Sequence, residues 1–253
     1  MPSPEEPPEW FLARIAGPDR TPALNHQLAS LLALVAGILN SVGFVAVAFY
    51  TSHMTGVTAQ VADQLVLGDL HLVGVGILSM GSFIGGAMAC AVLFNWGRRR
   101  DLRSRYANVL LLEGVLMLVF GLLAEEVTVS WRELLFVPVL CFTMGLQNAI
   151  ITKISGAQIR TTHVTGMVTD IGIELGKLSY RNRRAGPDPV RGNVPKLAML
   201  SSLVLLFLVG GLIGALGYLA IGFGVLIPGA LVLLLVSFHP LVTDLRTRAA
   251  DRD

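Results

Sequence analysis

The sequence predicts an all-α membrane protein: six transmembrane helices in two inverted three-helix repeats, each with a broken or re-entrant short helix after its first span. Three observations carry this expectation. The first is composition: of 253 residues, 53% are hydrophobic and 14% charged, whereas a soluble domain carries about 25% charged residues. The second is a set of apolar stretches near the ~20 residues that cross ~30 Å of hydrocarbon. They fall at about 28–49, 72–94, 107–123, 134–151, 197–220 and 223–242. The third is a polar motif that occurs twice, each time just after an apolar stretch.

Taken in order, residues 1–25 are proline-rich and carry several Glu, which reads as a disordered cytoplasmic tail. They lack the basic segment leading at once into a short apolar one that marks a cleaved signal peptide, so the first span reads as an uncleaved signal-anchor. Residues 26–243 form the transmembrane domain, and 244–253 a second cytoplasmic tail. Cytoplasmic segments near span ends hold the excess Lys and Arg. With the N-terminus inside, six spans place the two tails, the 95–106 loop and the 152–196 segment on the cytoplasmic side. Of the 19 Lys and Arg, Arg132 alone falls outside those segments. The protein therefore reads as multi-pass in the cell (inner) membrane, with both termini cytoplasmic. Its basic residues are topology signals facing the lipid bilayer, and they lack the aromatic interleaving of a nucleic-acid binder.

After the first span comes Thr51-Ser52-His53-Met54-Thr55-Gly56; after the fourth comes Thr161-Thr162-His163-Val164-Thr165-Gly166. Upstream, Gly37-Ile38-Leu39-Asn40-Ser41 answers Gly145-Leu146-Gln147-Asn148-Ala149. Three spans per half is an odd number, so the second copy enters the membrane from the opposite side, as in inverted-repeat transporters. Gly81 to Gly85 and Gly210 to Gly214 look like paired small-residue stripes, which allow close helix approach. Packing within the bundle and a homodimer seam are both open uses for them. Pro138 and Pro228 are expected to kink their spans.

The S-H-M-T-G element, and M-G-L-Q-N-A followed by T-T-H-V-T-G, resemble the YoaK family of bacterial membrane proteins. The resemblance covers about residues 28–242. Where that family usually shows Asn after the first Thr-Gly, this chain has Val57. The resemblance implies a multi-pass membrane protein of unassigned function and names no substrate.

Chemistry must then be read from the repeated residues. Thr55 and Thr165 are good N-cap types, and Gly56 and Gly166 allow close approach to the backbone. A helix that starts inside the membrane leaves its first N–H groups unpaired, and these can hold an anion or a carboxylate. His53 and His163 can donate, accept or carry a proton. Asn40, Gln147 and Asn148 either line a polar cavity or bond across helices. Glu113, in the body of the third span, is a proton-coupling candidate. Asp63, Asp170 and Glu174 read as solvated charges.

No metal site is expected, because two histidines without acidic or Cys neighbours at useful spacing are too few ligands. Cys90 and Cys141 fall within spans and suggest no disulfide framework. No cofactor and no nucleotide motif is indicated, so the chain is not expected to be an enzyme. The functional expectation is a secondary transporter or permease for a small polar solute, with anions included. A membrane-embedded regulatory or scaffold protein is the alternative, and an intramembrane hydrolase a third.

The charge division makes a direct prediction. A reporter fused after Asp253 should read cytoplasmic and one inserted near Glu125 external. An external reading at the C-terminus would remove the six-span count.

Overall fold

The computed structural model describes residues 15–17, 20–155, 161–182 and 189–250. The disordered tail expected over residues 1–25 lies outside the described residues at 1–14 and 18–19, as do the charges in 156–160, 183–188 and 251–253. From Pro22 its last residues already form the start of a helix. Eight α-helices follow one another among the described residues: α1 Pro22–Val47, α2 Met54–Leu67, α3 Leu70–Arg99, α4 Ala107–Leu123, α5 Val129–Ile154, α6 Val164–Ser179, α7 Val194–Ile221 and α8 Leu226–Ala250. Five stretches are long and apolar enough to cross a membrane. The last of them, Val194–Arg246, contains α7 and most of α8, broken by the 3-10 turn Gly222–Val225. The chain is thus a multi-pass, all-α membrane protein.

Local chemistry sets the helix ends. Thr21 accepts the Leu24 N–H at 3.2 Å, with Pro22 just inside the helix, where its missing N–H costs nothing. Asp69 and Asn193 cap α3 and α7 in the same way, accepting from Leu72 and Lys196 at 3.1 and 2.9 Å. The α1 helix stops where Ala48 turns left-handed, at φ 55°. Before α1, Ile15 and Ala16 are buried, and the Arg20 guanidinium donates to the Ile15 carbonyl and to Asn25 Oδ1. Pro228 falls in the first turn of α8, where no intrahelical bond is broken. The interior proline of that helix is Pro240, and Pro138 lies inside α5.

Long helices pair as α1 with α7, α3 with α5 and α4 with α8, while α1 also meets α5. The short helices lie outside this set, α2 against α3 and α6 against α7. The contacts of α1 with α7 and of α3 with α5 are made backbone to backbone. A Cβ on Gly37 would overlap the Phe207 carbonyl, and one on Gly210 the Leu34 carbonyl. On the other pair, Gly145 stands against the Phe83 carbonyl and Gly86 against that of Phe142.

This corrects the expected stripe register. Phe83 and Gly86 stand where Phe207 and Gly210 stand, so the small-residue partner of Gly210 is Gly86. Gly81 faces open space, and Gly85 makes only ordinary contact with the Phe142 ring at 3.7 Å. The choice follows which turn of α3 opposes α5, a property of helix phase that motif spacing does not reveal.

The two glycine environments separate cleanly by experiment. Gly37→Ala should destabilise the solubilised protein by about 1–3 kcal/mol, as over-packing does, while Gly81→Ala should leave thermal unfolding unchanged. Equal melting shifts for the two would contradict the close crossing.

A central cavity between two half-helices

Each repeated motif begins as a turn or bend and then passes into a short helix. In the first half, α2 runs antiparallel to α3: Val57 and Val61 face Gly76, and the Thr58 hydroxyl lies 3.8 Å from the Met80 sulfur. At 1.5 Å per residue, the start of α2 stands roughly 20 Å back from the Gly68–Asp69 turn, level with Phe83 in the middle of α3. The second half repeats this, with the start of α6 level with Phe207 in the middle of α7. Both short helices therefore begin at mid-span.

Between those two beginnings lies a cavity of about 610 Å³. Its lining comes in matched pairs: Asn40 and Asn148, Ser52 and Thr162, His53 and His163, Thr55 and Thr165, Phe83 and Phe207. Tyr50, Met54, Thr152 and Val164 complete the wall. From residue 51 to 60 the alternation of buried and exposed positions is repeated residue for residue from 161 to 170. The repeated motif has therefore folded the same way twice.

Amides anchor each turn. Asn40 Oδ1, near the end of α1, accepts from the Ser52 backbone N–H at 3.2 Å and from its hydroxyl at 3.0 Å. In the other half the Thr162 hydroxyl donates to Asn148 Oδ1, while the Asn148 amide donates to the Met144 carbonyl at 2.8 Å. Thr51 and Thr161 are fully buried, and their hydroxyl oxygens have no partner.

The expected caps are displaced by two residues. Thr55 and Thr165 lie inside the first turns, and the N-cap positions belong to His53 and His163. The reason is the first intrahelical bonds, from Val57 N–H to the His53 carbonyl at 3.0 Å and from Met167 N–H to that of His163 at 3.1 Å. The two histidines share one backbone conformation, φ −90° and ψ 61° against φ −83° and ψ 59°. Neither side chain makes a capping bond. Each ring folds over its own first turn, and glycine is what leaves room for it. A Cβ on Gly56 would collide with the His53 ring, and one on Gly166 would sit 2.8 Å from His163 Nδ1.

Of the expected site residues, Asn40, His53, Thr55, Asn148, His163 and Thr165 line the cavity, and Gly56 and Gly166 support its histidines. Gln147 points elsewhere: it is buried and donates to the Leu32 carbonyl at 2.7 Å, bonding α5 to α1. Glu113 is not among the cavity's lining residues; it is fully buried on α4, with neither carboxyl oxygen hydrogen-bonded. Ser52 and Thr162 were legible as members of the repeat. Phe83 and Phe207 lie outside the repeated hexapeptides, on the helices that carry the paired small-residue stripes.

No Asp, Glu, Lys or Arg lines the cavity among the described residues, and no group of three or more His, Cys, Asp or Glu is placed to hold a metal. Charge gathers instead at the far end of α6. There the buried Glu174 carboxylate accepts the Asn193 N–H at 2.8 Å and pairs with Lys177 at 3.0 Å. Those two bonds, that from Asn193 first, hold its pKa below the ordinary carboxylate value.

What the cavity offers chemically is two helix N-termini, two imidazoles, two amides and several hydroxyls around a water-sized to metabolite-sized space. The first N–H groups of a helix have no intrahelical partner, and the dipoles place partial positive charge at the same ends. Residues 28–239 match a family model described as a protein of unknown function (DUF1275). No curated protein and no solved structure matches the chain.

Proposed function

The chain belongs to the DUF1275 family, that of YoaK-type bacterial multi-span membrane proteins, and from that premise we propose that it is a secondary transporter or permease for a small polar solute, an anion above all. One observation carries the reading: both copies of the T-H-x-T-G motif line a single cavity with equivalent residues. Irregular backbone at membrane depth is tolerated where it is buried or lines a wet cavity, and in transporters such breaks hold the solute. Facing helix N-termini, with no carboxylate in the lining, favour negative charge.

The helix pairings support six spans in two inverted repeats. Let α1 to α4 stand for α5 to α8. Then α1 with α7 becomes α5 with α3, α2 with α3 becomes α6 with α7, and α4 with α8 becomes itself. The packing is unchanged by exchanging halves. Such a duplication suits a pathway that opens to each side in turn, in an inner membrane with both termini cytoplasmic. Glu113 is then the proton-coupling group. Its carboxyl is held in the interior without a hydrogen-bond partner, a placement that in membrane proteins marks ion and proton pathways.

Uptake into proteoliposomes tests this, using labelled small anions, neutral polar solutes and cations, with and without a pH gradient. Anions should be taken up. His53→Ala and His163→Ala should each lower uptake roughly tenfold, the scale of one charge-assisted hydrogen bond, with membrane insertion intact. Glu113→Gln should abolish the response to the pH gradient while sparing downhill uptake. No uptake of any solute class, or full activity in both histidine variants, would contradict the proposal.

A further inference from the structure

The two half-helices are equivalent at the cavity and unlike at their far ends. The α2 helix reaches α3 through two residues, Gly68 and Asp69. Gly68 has φ 81°, and the Asp69 N–H returns to the Gln64 carbonyl at 3.1 Å. Among the described residues no ion pair joins α2 to α3. The chain leaving α6 reaches α7 only at Val194, and charged groups do the holding. Lys196 on α7 pairs with Asp170 at 3.2 Å and stands 3.8 Å from Glu174, which also accepts the Asn193 N–H at the start of α7. Counting from the two histidines, the α2 residues at the places of Asp170 and Glu174 are Gln60 and Gln64. The first half thus carries neutral amides where the second carries carboxylates.

Apolar contact holds the near half of α6, where Met167 is buried and Val164 and Ile171 pack against the core. Farther along, Ile173 and Leu175 are exposed and Glu174 is the buried position. The far half of the helix is anchored by its carboxylates. We propose that α6 is the moving half-helix of the pair, latched to α7 by Asp170 and Glu174 through Lys196 and the Asn193 N–H, and that α2 is the fixed one. A charged latch suits a moving part, since each of its groups can be rehydrated when the contact parts. A two-residue turn such as Gly68–Asp69 leaves α2 no comparable freedom.

The proposal rests on reading the central cavity as one that opens to both sides, and its test reads motion, not uptake. Hydrogen exchange is followed by mass spectrometry on the full chain in lipid nanodiscs. Lys196→Met, and Asp170→Asn with Glu174→Gln, should each speed amide exchange in α6 roughly tenfold or more, given the strength of hydrogen bonds to charged groups. Exchange in α2 should stay as in the unaltered protein. In case a variant fails to fold, the unaltered protein is compared at about 0.05 M and about 1 M salt, where screening weakens the partly exposed Asp170–Lys196 pair. Exchange should rise in α6 and not in α2. Equal responses in both helices, or none in α6, would overturn the latch. Solute uptake by a protein whose α6 does not respond would remove the latch and keep the transport reading; a responsive α6 in a protein that takes up nothing would do the reverse.

Discussion

Backbone N–H and C=O groups in hydrocarbon have no water to satisfy them, and each one left unpaired costs several kcal/mol. A chain that breaks two of its helices at mid-span must therefore bury both breaks or wet them. The architecture follows from that requirement. Asn40 and Asn148 take up the polar groups of the descending turns. The N-termini of α2 and α6 face one shared cavity, and α1, α3, α5 and α7 enclose it. The two breaks are natural partners for one another, because both bring polar backbone and side chains to the same cavity.

Glycine makes the enclosure tight enough to matter. Gly37, Gly210, Gly86 and Gly145 let carbonyls of the facing helices approach where any side chain would overlap them. Those crossings bring the middles of α3 and α7 inward, and with them Phe83 and Phe207, which both line the cavity. Gly56 and Gly166 serve at shorter range by letting each imidazole lie over its own first turn. Packing between helices thus sets the width of the cavity, and packing within each motif sets what faces it.

Much of this was legible in the sequence. The membrane class followed from composition and the apolar stretches, and the cavity's polar pairs from the repeated hexapeptide with its upstream Asn. What escaped the sequence was orientation around a helix. Gln147 and Asn148 are neighbours, but consecutive helical residues point about 100° apart, so Asn148 reaches the Thr162 turn while Gln147 turns to α1. Gly81 and Gly85 match Gly210 and Gly214 in spacing, yet the register that forms pairs Gly86 with Gly210. The helix starts were misplaced because threonine is the better capping residue in general, whereas here the histidine before it occupies the cap. The unequal fastening of α2 and α6 was present as Gln60 and Gln64 against Asp170 and Glu174, but those carboxylates read as solvated until Lys196 and Asn193 were seen beside them.

That two breaks, 110 positions apart, meet at mid-membrane is the claim on which the shared cavity and the proposed transport both depend. Cross-linking tests it most directly. Thr55→Cys and Thr165→Cys are placed together in a chain whose Cys90 and Cys141 have been replaced by Ala, and a short bifunctional thiol reagent is applied in membranes. The account predicts an intramolecular cross-link that resists reagent dilution and is missing from either single variant. Failure to cross-link, with both thiols reactive toward small probes from opposite sides, would place the motifs at separate surfaces of a ~30 Å core and contradict it.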